Sequence, residues 1–507
     1  MIWIILLGGM VQGAFAQNLE IKGMVRDARN KEILEFANVV LQTMDSSFVA
    51  GTTTDMKGHF LLNKIRPFLG KAFLVVMSVW FYGYAGITEL KWLLLSIVVN
   101  YLVVILGQRV RKCKNLILWC GILFNVALLF YFKYFNFTIN TINGVFHQNF
   151  AVKSLVLPLG ISFFTFQQIA YLVDAYKGKL GGCYLLDYIL YVVYFPKVLM
   201  GPVVKPEKLL EQFHDESRTK INPDLFMKGI RMFNIGLFKK VILADTFAKA
   251  VSWGFSDISA TTSMDLILVM LSYTFQIYFD FSGYSDMAIG VSDMLNIELP
   301  MNFDSPYKAF SIRDFWKRWH MSLTGFLTEY VYFPLGGSRR GKIRTYVNTV
   351  IVFLVSGIWH GANWTFILWG ILHGILSVVD RLTEKMRKNV HPALQWMVTF
   401  GIVNVLWLLF RANSISEWMS MVSHIGALKS TAVSDGLLNV FVLPETGFLT
   451  WLTHTTLLYT HVRGFSMLVF FSLAVVLCLG FENAYRREYR SNIWSAIGSA
   501  LLFVFSL

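Results

Sequence analysis

A chain of 507 residues that is 55% hydrophobic and only 15% charged, with a mean hydropathy of +0.54, carries more apolar surface than a soluble protein of that size can bury. Its net charge of +14 would suit a nucleic-acid partner. However, the Lys and Arg fall in short runs between apolar segments, at 109–114, 339–344 and 381–388, the pattern of cytoplasmic loops in a polytopic membrane protein, so nucleic acid is set aside.

Residues 1–16 form an apolar, signal-like segment ending in Ala14-Phe15-Ala16, short for a spanning helix. Residues 17–66 turn polar and predict four short strands, Leu19–Val25, Ala37–Gln42, Ser47–Thr53 and His59–Leu62, with turn chemistry at Asp27–Lys31 and Asp55–Gly58. From residue 67 to 507 the chain reads as membrane protein. Runs long enough to span lie near 68–87, 91–107, 115–132, 155–173, 184–201, 229–250, 264–283, 346–370, 394–410, 465–481 and 491–507, three of them interrupted by Pro158, Pro196 and Pro202. The fold class expected is an all-α polytopic membrane protein of about ten to twelve transmembrane or re-entrant helices, with a short N-terminal β segment. The loop carrying Arg109, Arg111, Lys112 and Lys114 is placed in the cytoplasm, so the 68–87 helix starts there too, at odds with an exported N-terminus. Cys113, Cys120, Cys183 and Cys478 fall in no zinc or redox spacing, and no metal site is expected.

The polar groups that hydrocarbon does not tolerate concentrate between Tyr278 and His373. Asp280 and Asp286 close an apolar helix with hydroxyls between them, either as a polar helix end or as a tunnel wall. Ser311 is a candidate N-cap for a helix carrying Asp314, Lys317, Arg318, Trp319 and His320. Its cations suit either an interfacial helix or the binding of an anionic, phosphate-bearing donor. Pro334-Leu335-Gly336-Gly337 makes a turn before a basic run that topology alone explains. His360 sits among apolar and small residues, bracketed by Gly357 and Gly361, with Trp359, Asn363, Trp369 and His373 close in sequence. A lone buried histidine is more often a satisfied structural group. A neutral imidazole in a dry cavity is also a competent general base.

Several long blocks in order, Tyr278–Asp286, Asn302–Tyr307, Asp314–Leu323, Tyr330–Gly337 and Ser356–Gly361, with Pro158–Gln167, Phe195-Pro196-Lys197, Gly201-Pro202, Trp80–Gly83 and Phe132-Lys133-Tyr134 upstream, resemble the membrane-bound O-acyltransferase (MBOAT) family. The match is to its alginate O-acetyltransferase branch. The resemblance implies helices around a tunnel open to both faces of the bacterial inner (plasma) membrane, an acetyltransferase with acetyl-coenzyme A as donor substrate and no bound cofactor, an exported polysaccharide as acceptor, and a periplasmic esterase-like partner that receives the acetyl group. It maps the catalytic histidines onto His360 and His320. His360 would remove the hydroxyl proton, and either Asn363 or His320 would polarise the carbonyl or orient the base. Lys317, Arg318, Trp319, Asn363, Trp359, Asp280 and Asp286 are the donor- or substrate-binding candidates. D-alanyl transfer to a teichoic acid and a polytopic transporter are the alternatives; no inverted repeat supports the latter.

Thr328 and Glu329 stand where the family usually has an Arg-Asp pair. Residues 18–66 resemble part of a carboxypeptidase-regulatory-like β-sandwich, carried by Ile21–Asp27, Ala37–Leu41 and Gly51–Phe60. They occupy the place of the family's first helix, as expected of an exported-protein start joined to the transferase. The short aromatic C-terminal tail of relatives is missing after Leu507.

Overall fold

The computed structural model describes residues 21–24, 32, 37–42, 48–56, 59–62, 66–180, 182–220, 222–442, 456–486 and 493–506. The 2–16 apolar segment lies outside the described residues. Strands β1 (Ile21–Met24) and β4 (His59–Leu62) pair antiparallel, as do β2 (Asn38–Gln42) and β3 (Phe48–Thr53). The pairing falls on the segments whose residue pattern predicted strands.

The rest is helical: α1 (Arg66–Ala85), α2 (Ile87–Arg109), α3 (Lys114–Leu129), α4 (Phe135–Phe146), α5 (Ile161–Tyr176), α6 (Leu185–Val193), α7 (Pro206–His214), α8 (Pro223–Phe238), α9 (Asp245–Ser256), α10 (Ser263–Met294), α11 (Ile312–Arg318), α12 (Met321–Leu327), α13 (Lys342–His360), α14 (Trp364–Leu382), α15 (Pro392–Arg411), α16 (Ile415–Ala427), α17 (Asp435–Val440), α18 (Thr456–Val475) and α19 (Ile493–Phe505). Six helical stretches among the described residues are long and apolar enough to cross a membrane, so the chain is a multi-pass, all-α membrane protein.

Two apolar runs resolve differently from their sequence outline. The 346–370 run is two helices, because Gly361 ends α13 and Asn363 N-caps α14 by accepting a hydrogen bond from the Thr365 N–H at 3.0 Å. The 184–201 run is helical only over α6, which stops ahead of Pro196. Among the described residues, π turns interrupt helices at Phe130–Tyr134 and Lys239–Ala244 and end them at Thr328–Tyr332 and Val476–Gly480. The two that interrupt helices place Lys133 and Lys239 in polar contacts inside the bundle, and the one at Thr328–Tyr332 carries Glu329 to Lys179.

The long helix α10 starts with a capping box between Thr262 and Asp265 and is the spine of the bundle. It lies against α8 through two reciprocal glycine pairs. A Cβ on Gly229 or Gly290 would come within 2.6 Å of the other's carbonyl oxygen, and Gly236 and Gly283 repeat this seven residues along. One face gathers the basic loops. The Lys114 ammonium lies 4.3 Å from the Tyr176 ring centre at the end of α5, Lys179 bonds Glu329 at 2.7 Å, and Arg313 bonds Glu384 at 3.1 Å.

Candidate functional site

His320 and His360 reach the interior from two chain breaks. His320 follows Trp319 in the two-residue link between α11 and α12 and is the N-cap of α12. It is 1% exposed and holds φ at 46°, a left-handed conformation that costs a non-glycine residue about 1–2 kcal/mol. Its Nδ1 lies 3.3 Å from Asn302 Oδ1, its ring meets Phe281 edge to face at 4.6 Å, and its Nε2 is buried with no partner among the described residues. His360 is the last residue of α13. Its ring packs edge-on against Trp359, Trp369 and Phe410, with centroids 4.9, 5.4 and 5.1 Å away, and stands within electrostatic reach of His320.

Trp359 packs against both histidines and against α5. It stacks on Phe166 at 5.2 Å, meets Phe163 edge to face at 5.1 Å and donates to the Ser162 carbonyl at 3.2 Å. Its own carbonyl accepts from Lys133 Nζ, which also donates to Ser162 Oγ at 3.0 Å. Lys133 therefore places a cation at the C-terminal end of α13, where the helix dipole favours it, within electrostatic reach of His360. The sequence marks this residue only within a family block. A lysine in the middle of an apolar run was the available signal.

The other candidates divide. Lys317 is exposed at the mouth of a cavity of about 300 Å3 that also takes Arg313 and Arg381, and whose wall includes Leu323, Thr324 and Ser356, close to both histidines in sequence. Arg318 turns away to Asp314 at 2.9 Å and the Asp304 carbonyl at 3.4 Å. Trp319 is a core side chain stacked on Phe315 at 5.6 Å and packed against Trp407 at 4.8 Å. Asn363 divides its amide between capping α14 and donating to the Asn413 carbonyl at 2.9 Å. Asp286 is a buried partner of Lys239 at 2.6 Å, and the half-exposed Asp280 pairs with Lys240 at 2.6 Å. The structure thus brings together His320, His360, Trp359 and Lys133, with Lys317 at the cavity mouth. It engages Arg318, Trp319, Asp280 and Asp286 in structural contacts.

His373, one turn beyond Trp369, accepts a hydrogen bond from Trp316 Nε1 at 3.1 Å and is enclosed by aromatic rings. No group of three or more metal-ligating side chains forms among the described residues.

A model of the membrane-bound O-acyltransferase family matches residues 72–422. The chain is 39% identical over 409 residues to the peptidoglycan O-acetyltransferase of Helicobacter pylori, covering 74% of this chain and 78% of that protein. It is 37% identical over 336 residues to a "Probable alginate O-acetylase" of Azotobacter vinelandii, covering 65% of this chain and 66% of the relative. It is 27% identical over 313 residues to the teichoic acid D-alanyltransferase of Streptococcus thermophilus, covering 55% of this chain and 72% of that protein. The chain spans just under two thirds of the length of the alginate O-acetylase it matches.

Proposed function

Because this chain belongs to the membrane-bound O-acyltransferase family, we propose that it transfers an acetyl group from cytoplasmic acetyl-coenzyme A to a hydroxyl on the far side of a bacterial inner membrane, for O-acetylation of an exported cell-envelope glycan. The hydroxyl oxygen attacks the thioester carbonyl, the C–S bond breaks, and the hydroxyl proton ends on the departing thiolate. His360 takes that proton first. The observation that carries the reading is the convergence of buried His320 and partly buried His360 on Trp359, in a chain that also forms a cavity lined by Arg313, Lys317 and Arg381. Three cations suit the phosphates of the coenzyme, and the water-poor aromatic surroundings suit acyl transfer over hydrolysis.

Two of the relatives above are named for O-acetylation, of peptidoglycan and of alginate, both polymers with sugar hydroxyls. An esterase-like protein on the outer face would take the acetyl group and pass it to the polymer.

The test uses the full chain in proteoliposomes with labelled acetyl-coenzyme A, a soluble oligosaccharide acceptor and an esterase-like acetyl-carrying protein on the outer side. His360→Ala should lower transfer roughly 10²–10⁴-fold, the scale of a lost general base. Transfer within a few-fold of wild type would overturn the assignment.

A further inference from the structure

The hydrogen bonds around His320 fix more than its position. Asn302 Oδ1 accepts from the Ser322 backbone N–H at 3.4 Å, and a backbone N–H can only donate, so the amide oxygen, not the nitrogen, faces this group. The Ser322 hydroxyl accepts from the Val203 N–H at 3.0 Å, which leaves its own proton for Asn302 Oδ1 at 2.5 Å. The amide nitrogen of Asn302 is accounted for on the other side, donating to Ser285 Oγ at 3.2 Å on α10. Backbone bonds tie the same pieces: the Met321 N–H donates to the Asn302 carbonyl at 2.9 Å.

With Asn302 oriented this way, only an acceptor faces His320 Nδ1, so Nδ1 carries the proton of the neutral ring. Nε2 then holds the lone pair. It is this atom that is buried without a partner among the described residues. A neutral ring in this tautomer has no N–H left to offer a carbonyl oxygen.

We propose that Asn302 is the positioning residue of His320, and that it sets this imidazole to accept a proton at Nε2 rather than to donate a hydrogen bond to the acyl carbonyl. This rests on the acyl-transfer reading above. As the O–C bond forms and the C–S bond breaks, the hydroxyl proton is held by the imidazole pair until the thiolate takes it. Nε2 is the atom on which His320 can hold it. His360 is within electrostatic reach of His320, and Lys133 of His360; Asp286, beside Ser285, is neutralised by Lys239.

Asn302→Asp and Asn302→Leu in the full chain, assayed in proteoliposomes from pH 5 to 9, separate this role from a structural one. A carboxylate beside Nδ1 favours the imidazolium, so Asn302→Asp should move the acidic limb of kcat upward by about one pH unit or more, with the donor KM little changed. Asn302→Leu should lower kcat on the order of tenfold with the same KM. An unmoved limb in Asn302→Asp, with transfer intact, would overturn the proposal alone. No transfer by wild type would overturn the acyl-transfer reading with it. Should the variants not fold, nitrogen-15 spectra of histidine-labelled wild-type protein, with His320→Gln to assign the signal, read the tautomer directly. A proton on Nδ1 is expected, and a proton on Nε2 would overturn the proposal.

Discussion

Gly357 of α13 and Gly370 of α14 pack backbone against backbone. A Cβ built on either would lie 3.1–3.2 Å from the other's Cα, and one on Gly370 would stand 2.5 Å from the Phe353 carbonyl oxygen. The contact fixes the crossing of the two helices that carry His360 and Trp369. Gly370→Val should therefore lower the melting temperature and the yield of monodisperse protein, by about 1–3 kcal/mol of overpacking. Gly401→Ala, with nothing within 4 Å of the added carbon, should be neutral or slightly stabilising. Equal melting temperatures for Gly370→Val and wild type would refute the close crossing.

Glu329, on a π turn outside the spanning helices, joins Lys179 from the loop after α5 and Lys205 from the loop before α7. Burial alone would raise its carboxyl; hydrogen bonds and charge from the two lysines outweigh it and hold the group below the ordinary glutamate value. A carboxyl depressed on folding stabilises the protein above its unfolded pKa, about 4.3, and loses that contribution as pH falls through the folded value. Melting temperature should drop on acidification below about pH 4.5 more steeply in wild type than in Glu329→Gln. Parallel curves for the two proteins would exclude the clasp.

Lys239 and Asp286 form a buried ion pair between the second π turn and α10. Asp286→Asn leaves an uncompensated buried cation and should cost about 3–5 kcal/mol. The double variant Lys239→Met with Asp286→Leu should recover most of that loss in thermal unfolding. If the double variant were the less stable of the two, the charge penalty would not be the operative cause.

Cys113 is exposed in the basic loop between α2 and α3, whereas Cys120 is exposed on the spanning stretch that follows. In a Cys120→Ser background, an impermeant maleimide should modify Cys113 in inverted vesicles and not in intact cells, because basic loops stay in the cytoplasm. Labelling from outside intact cells would reverse the topology.

Much of this architecture is legible in the apolar runs, because hydrocarbon leaves a helix no alternative way to satisfy its backbone. What escaped was the punctuation. Residues 346–370 stay apolar across the helix break, and only Gly361 as a terminator and Asn363 as a cap betray it. Helix α16 leaves a weaker trace because it is short and amphipathic, although Ser414 and Glu417 spell its cap. The histidines could be picked out from their apolar surroundings and the family blocks. The pairing of Asn302 with His320 could not, since 17 residues, including a 3-10 turn at Pro306–Lys308 and helix α11, intervene. Lys317 and Arg318 are adjacent in sequence, yet the helix turn sends one to a cavity and the other to Asp314.

The nine residues of α6 cover about 13 Å along the helix axis, and α11 and α12, with seven each, about 10 Å, against roughly 30 Å of hydrocarbon. Such stubs leave their end carbonyls and amides unpaired within the helix, which lipid does not tolerate, so protein or water must cover them. At His320, between α11 and α12, it is therefore protein or water, and not lipid, that has to cover the chain.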